Sequence, residues 1–453
     1  MNRLHTIALL AGCMFATLPM SAQIPFSNEP VYPNDPYFQN QRALHNTGQT
    51  VNGTSGTIDA DIDLPEAWDI TMGSPDIIVA VIDDGVSANH PDLPNSRQVR
   101  LPGSNFGSGN ADDPSPQGND SHGNGCAGVI AATANNNEGV AGIAPNCKIM
   151  PIRIGGSVYS IVGAIRSAVD NGARIISCSW GFGDPDLIST VCDAINYATS
   201  HGVLMVFAAG NTAWHSNSGS YLQNGYVVFP ANYRHEGVIC VGASDRNDHQ
   251  ADYSPSAAEI DIVAPSHRAY HTYIAGENMD MWTIDTPGNA GCNPHPAGDS
   301  NFTTGSMLPD SGSNSNYLAY NGRFGGTSYA CPVVAGVAAL LLSENPNLTP
   351  EQLISILKST ADKVGGYTYT GGRCNEMGYG RVNAYKALKS ICTTTVYTQI
   401  NHTVDATYKG CDIIIEDMAV SEGAKLTVRP RHSLSIPRDF NVYTEDGSSF
   451  EVR

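Results

Sequence analysis

The chain has 453 residues, 41% of them hydrophobic, and a formal net charge of −19. That length accommodates one large α/β domain and a smaller appendage. The acid surplus excludes nucleic acid and anionic membrane surfaces as partners and suits a protein that stays in solution.

The first residues read as an export signal. Arg3 and His5 precede an apolar stretch from Thr6 to Met20, and Ser21-Ala22 offers a small-residue cleavage site before Gln23. Residues 1–22 are therefore assigned to a signal peptide and the mature chain to secretion. Leu10-Ala11-Gly12-Cys13 also fits a lipobox that would place lipid on Cys13. The short run before Cys13, and its continuation through Met14-Phe15, favour ordinary cleavage. No later apolar run approaches the ~20 residues that span a bilayer. The 11 cysteines lack the dense spacing of a disulfide scaffold. Cys126, Cys178 and Cys331 fall in apolar motifs and read as buried thiols. Cys374, Cys392 and Cys411 lie in or near turns, where a bridge is open among them.

Residues 23–62, rich in Pro, Asn, Gln and Gly, form an irregular arm. From residue 63 to 391 the pattern is that of one α/β domain. Ile77 to Ile82 is a continuous apolar run ending at Asp83-Asp84-Gly85, and such runs are buried parallel strands. Lys148–Ile152, Ile175–Ser179, Val203–Ala208, Val238–Val241 and Ile260–Val263 repeat it. Helical stretches alternate with them at Gly125–Ala134, Ile161–Asn171, Ile188–His201 and Ala330–Ser343. The alternation predicts a three-layer sandwich with a mostly parallel central sheet. Ligands in such folds sit at the carboxyl ends of the strands, where Asp83, Ser179 and Asn211 lie. Residues 266–323, full of Gly, Ser, Asn and Pro, are expected to be a long surface loop flanking the site. The domain ends with a helix to about Ile391. Residues 392–453 carry short strand-like pieces punctuated by Gly423 and Gly447, a small β-rich module of solenoid type.

Breaking an amide needs a nucleophile, a base, a group that orients the base, and donors for the oxyanion. Asp83 ends a strand. His122 opens the Gly-rich segment Ser121-His122-Gly123-Asn124-Gly125-Cys126-Ala127-Gly128. Ser328 lies in Gly325-Gly326-Thr327-Ser328-Tyr329-Ala330-Cys331-Pro332, just before an apolar helix whose first N–H groups favour an anion. Asn211 follows a strand in Ala208-Ala209-Gly210-Asn211. Singly these residues read as caps or turn residues. Together, in the chain order Asp83, His122, Asn211, Ser328, they resemble the subtilisin-like serine proteases.

The resemblance runs from Pro33 to about Ile391. It is nearest the thermitase branch in Pro33-Asn34-Asp35-Pro36-Tyr37-Phe38 and in Cys126, and it touches the kexin branch in Asp83-Asp84-Gly85, Cys178-Ser179-Trp180-Gly181 and Phe324 to Ser328. It implies a secreted, monomeric serine endopeptidase acting on proteins or peptides. Asp83, His122 and Ser328 would be the triad and Asn211 the oxyanion donor. Ser179-Trp180-Gly181 would pair with the substrate as an added strand. Asn124 and Gly125 depart from the family's His motif, a change expected to loosen packing beside His122. The family's structural Ca²⁺ implies a site in the loop 133–140, with Asp35, Asp92 and the Asn136 side chain, and the carbonyls of Thr133, Glu138 and Val140, as hard oxygen ligands. The arm follows the signal so closely that no folding propeptide is expected between them. By kexin analogy Asp84 and Asp184, with Asp120 nearby, would read basic side chains before the cut. Thr212 to Gln223 holds no acid to complete that pattern, so a broad apolar preference stays open. The rival class is an inactive binding protein that kept the fold, and it is opposed by the retention of every triad residue and Asn211.

Overall fold

A computed structural model describes residues 32–182, 188–215, 221–223, 225–269, 279–288, 290–292 and 317–392, and the backbone of strands within 394–452. The export signal, Cys13 and Asp184 lie outside the described residues. The chain divides into two compact units, one of Val31–Leu388 and one that contains Lys389–Arg453.

The arm carries a short antiparallel pair, β1 (Thr50–Val51) and β2 (Thr54–Ser55), and leads into helix α1 (Leu64–Ile70). The apolar runs then become the strands β3 (Ile78–Asp83), β5 (Lys148–Ile154), β6 (Ile175–Cys178), β7 (Leu204–Ala208), β10 (Val238–Ser244) and β11 (Ile262–Pro265). With β4 (Asn105–Phe106) they form a seven-stranded sheet in the order β11-β10-β7-β6-β3-β5-β4. All its pairings are parallel. Such strands are buried on both faces, which is why they read as unbroken apolar runs. A short antiparallel pair, β8 (Trp214–His215) and β9 (Tyr221–Gln223), follows β7.

The helices are α2 (His122–Ala131), α3 (Val158–Asp170), α4 (Ser189–Ser200), α5 (Thr327–Glu344), α6 (Pro350–Thr360) and α7 (Ala384–Ile391). Ile161, Ile165, Val191 and Ile195 of α3 and α4 pack with Ile82, Ile152, Met205 and Phe207 of the sheet. Helix α5 is apolar on every side, with 15 residues buried, and a helix of that kind belongs in a core. Among the described residues it is the one helix long and apolar enough to cross a membrane, and it lies inside the domain.

The predicted surface loop 266–323 is corrected in part. Its described residues include the fully buried β12 (Met281–Ile284), which pairs antiparallel with β13 (Tyr320–Phe324). Gly128 of α2 lets this strand come close: a Cβ there would stand 2.6 Å from the Thr283 hydroxyl and the Ile284 side chain. In the second unit, β14 (Thr394–His402), β15 (Ala406–Val420), β16 (Lys425–Ser435) and β18 (Ser449–Val452) stack in parallel, with β17 (Tyr443–Thr444) also against β15. Cys392 is disulfide-bonded, whereas Cys374 is a buried free thiol, as are Cys126, Cys178 and Cys331.

Candidate active site

Strand β3 sits between β5 and β6 and delivers Asp83 at its carboxyl end. Asp83 is buried, and its Oδ1 accepts from His122 Nδ1 at 2.8 Å. The Asp84 N–H donates to the same oxygen at 2.8 Å. Because Nδ1 faces a carboxylate, the proton of a neutral ring sits there and Nε2 is left as an acceptor. Desolvation works against a charged imidazole, but the Asp83 carboxylate outweighs it and holds His122 well above its ordinary value. Burial pushes the Cys126 thiol up, so it stays protonated, with its sulfur 3.7 Å from both Asp83 Oδ2 and the Ser328 carbonyl and one proton to share between them. The Phe324 ring closes one side of the imidazole, 5.2 Å between centroids.

Ser328 is the second residue of α5, after Gly326 at φ 74°. Gly326 donates its N–H to Nδ1 of the buried His267 at 3.0 Å. A Cβ on Gly325 would lie 2.1 Å from that ring, so the consecutive glycines are a steric requirement of the turn. The Ser328 hydroxyl donates to the Ser179 carbonyl at 3.1 Å. Pro332 lies inside α5 and has no N–H for the Ser328 carbonyl four residues back. That carbonyl accepts instead from the Ser179 hydroxyl at 2.9 Å and the Cys126 thiol at 3.7 Å, which ties β6, α2 and α5 together. Asn211 Oδ1 accepts from Thr327 N–H (2.9 Å) and the Thr327 hydroxyl (3.0 Å). The oxygen end of the amide is thereby anchored, and its NH₂ end is left as the group available to a ligand.

Trp180 Nε1 donates to the Ile82 carbonyl at 2.7 Å, and Gly181 is exposed. A Cβ on Gly181 would come 2.3 Å from Val228, so the segment lies flat against its neighbour. Asn124 and Gly125 tighten the His motif rather than loosening it. Asn124 is buried, accepts from Ser87 N–H at 2.8 Å and donates to the hydroxyls of Ser87 (3.0 Å) and Thr286 (2.8 Å). Gly125 leaves the space that Phe324 fills, a Cβ there falling 2.9 Å from the ring.

Two of the acids expected to read basic side chains, Asp84 and Asp120, have partners inside the domain. Asp84 gives both oxygens to backbone amides of Ser121, His122 and Gly123. Burial, then the charge of Asp83, pushes its carboxyl up to about 6. Asp120 pairs with Arg153 at 3.1 Å. Arg153 stands opposite Asp83 on β5 and was not singled out in the sequence; a charged residue inside an apolar strand run was the available signal.

Asp35 and Asp92 are both buried. Asp35 accepts from Asn135 N–H (2.9 Å) and Asn136 N–H (3.3 Å), Asp92 from Asn136 Nδ2 (2.9 Å) and Val140 N–H (2.9 Å). Burial raises Asp35, and burial with the nearby charges of Asp35 and Glu138 raises Asp92 to about 8. The Thr133 hydroxyl is buried without a partner. Positive φ at Asn135, Asn137 and Gly139 curls the loop around these groups. Two desolvated, mutually repelling carboxylates beside an orphaned oxygen fit a hard cation such as Ca²⁺. Asn136 turns its nitrogen to Asp92 while its oxygen accepts from Glu138 N–H at 3.1 Å, so its amide must reverse to become a ligand.

The subtilase family model matches residues 74–380. The chain belongs to the subtilase family. Thermitase of Thermoactinomyces vulgaris is 32% identical over 72% of the chain and 94% of its own length. The calcium-dependent protease of Trichormus variabilis is 35% identical over 76% of the chain, and the subtilase described here spans about half the length of that relative. Among solved structures, a protease from Pseudoalteromonas arctica is 30% identical, with a TM-score of 0.58 over 80% of the chain and 99% of its own.

Proposed function

We propose that this subtilase is a secreted serine endopeptidase in which Asp83, His122 and Ser328 form the triad. The observation that carries the reading is the 2.8 Å contact from His122 Nδ1 to buried Asp83, with Ser328 at the start of α5. Rotation of Ser328 redirects its hydroxyl from the Ser179 carbonyl to His122 Nε2. Ser328 Oγ then attacks the scissile carbonyl while Nε2 takes its proton. Asp83 holds the ring in this tautomer and stabilises the imidazolium, and Nε2 returns the proton to the leaving amine. Asn211 Nδ2 and the Ser328 N–H receive the oxyanion. Ser179-Trp180-Gly181 offers backbone to an extended peptide, the mode of strand addition.

We further assign Ca²⁺ to Asp35, Asp92, Asn136 and the carbonyls of Thr133, Glu138 and Val140, in keeping with the relatives named as calcium-dependent proteases. When bound, the ion supplies charge compensation for the two buried acids. Residues 63–391 are taken as the peptidase domain and 392–453 as a separate β module. A fluorophosphonate probe and a peptide-library digest test the activity together. Labelling lost in Ser328→Ala, with cleavage of internal peptide bonds by the parent, is the expected result; a parent that neither labels nor cleaves favours a binding protein.

A further inference from the structure

Helix α2 carries His122 as its first residue, yet it has no cap of its own: the Ser121 side chain makes no capping bond. The open amides at its start are filled from another element. Asp84 Oδ2 accepts Ser121 N–H at 3.2 Å and His122 N–H at 3.0 Å, and Oδ1 accepts Gly123 N–H at 2.6 Å. A carboxylate satisfies these orphan donors and sits favourably at the positive end of the helix. The close approach is built into the backbone. A Cβ on Gly123 would lie 2.4 Å from the Gly85 carbonyl, and Gly85, at φ 122°, is itself packed on Ser115 and Pro116. Two consecutive acids thus grip one histidine from two directions. Asp83 holds the ring and Asp84 holds the backbone. Oδ2 already accepts two amides and Oδ1 one, so a guanidinium fork, which needs a free site on each oxygen, finds none on Oδ2.

We propose that Asp84 is a positioning residue that fixes the backbone of His122 against Asp83, and so sets the approach of the imidazole to Ser328, rather than an acid that reads a basic substrate side chain. The inference rests on the triad reading. Its test uses the full chain as the parent, Asp84→Asn and Asp84→Ala. Each is labelled with a fluorophosphonate that has no peptide portion, and assayed on two peptides that differ only in Ala or Lys two residues before the cut. Misplacing a catalytic group by a fraction of an ångström to 1 Å costs up to ~10²-fold. Asp84→Ala is expected to label to full amplitude at a rate ~10- to 10²-fold lower. Its kcat should fall by the same factor on both peptides with KM unchanged. Asp84→Asn, which keeps one accepting oxygen, should fall between the two. A labelling rate for Asp84→Ala within twofold of the parent overturns the proposal, as does a loss confined to the Lys peptide. Reduced amplitude at the parent rate also overturns it, since it assigns Asp84 to folding alone. Failure of the parent to label is a different outcome, which removes the triad reading itself.

Discussion

In the proposed triad each side chain has a hydrogen-bond partner in the structure, and the proposed roles set the size of the expected losses. Ser328→Ala removes the nucleophile and should lower kcat by ~10⁶ in amide hydrolysis, measured on a peptide of known cleavage site. Asn211→Leu leaves the triad intact and removes one oxyanion donor, so ~10²–10³ in kcat is expected. Asp83→Asn no longer holds the proton on Nδ1 and should cost ~10⁴. Asp83 also raises His122. In the proposed triad the neutral ring is the base, so kcat/KM should fall as the pH drops through the value for His122, with a midpoint above 6.5. Removing the Asp83 charge takes away the raising influence and leaves desolvation, so the acid limb should move to lower pH in Asp83→Asn. A limb that stays in place would contradict the assignment. At this scale the sequence marks Asp83, His122, Asn211 and Ser328 as candidates, because each lies in a motif. It did not carry the use of Asp84 and Asp120. Their charge is spent on amides 37 to 39 residues away and on Arg153, which only folding brings close.

The strands of the central sheet were legible because burial on both faces leaves an unbroken apolar run. The start of α2 was not. His122-Gly123-Asn124-Gly125 are poor helix formers, and the helix begins at His122 because Asp84 caps it from outside. Strand β12 was missed for a related reason: its partner β13 lies beyond a long polar stretch that dominates the local composition. By contrast α6 has a local signature, Thr349 and Gln352 in a capping box with Pro350 between them. Two predictions belong here. Gly123→Ala pushes a methyl group into the Gly85 carbonyl and should lower both the melting temperature and kcat, whereas alanine usually stabilises a helix. His267 is buried, and desolvation, with repulsion from Arg42, lowers it to about 3. Its unfolded form takes up a proton near 6.5 while the folded form resists until about 3. Stability should therefore fall as the pH drops through that window, by up to ~1.4 kcal/mol per pH unit from this group. Urea titrations of parent and His267→Asn between pH 7 and 4 should show a shallower slope in the variant.

At the scale of the peptidase unit, the loop 133–140 gathers chain from three places. Asp35 belongs to the arm, Asp92 follows β3, and the loop itself follows α2. Backbone bonds already join them: Tyr37 N–H to the Gly139 carbonyl at 2.8 Å and Thr133 N–H to the Asp92 carbonyl at 2.7 Å. Against these bonds stands the cost of two desolvated acids that repel each other, in a chain with a net charge of −19. The proposed Ca²⁺ would reverse the sign of that cost and would bind only when arm, loop and domain are together. Its stabilisation then follows mass action, ~2.7 kcal/mol at a hundredfold excess over Kd. For a unit spanning Val31–Leu388, at about 2.1 cal/mol/K of unfolding entropy per residue, that corresponds to a melting shift of roughly 3–4 °C. Chelation should lower the melting temperature by that amount, free the arm first and expose it to autolysis, read as cleavage between residues 32 and 62. To separate stability from self-digestion, the melt is run on Ser328→Ala. In that background Asp92→Asn should melt below the parent in Ca²⁺ and no longer respond to chelator. Identical melting curves for Ser328→Ala with and without chelator would remove the calcium assignment and leave the loop as an Asn-rich turn held by its own hydrogen bonds.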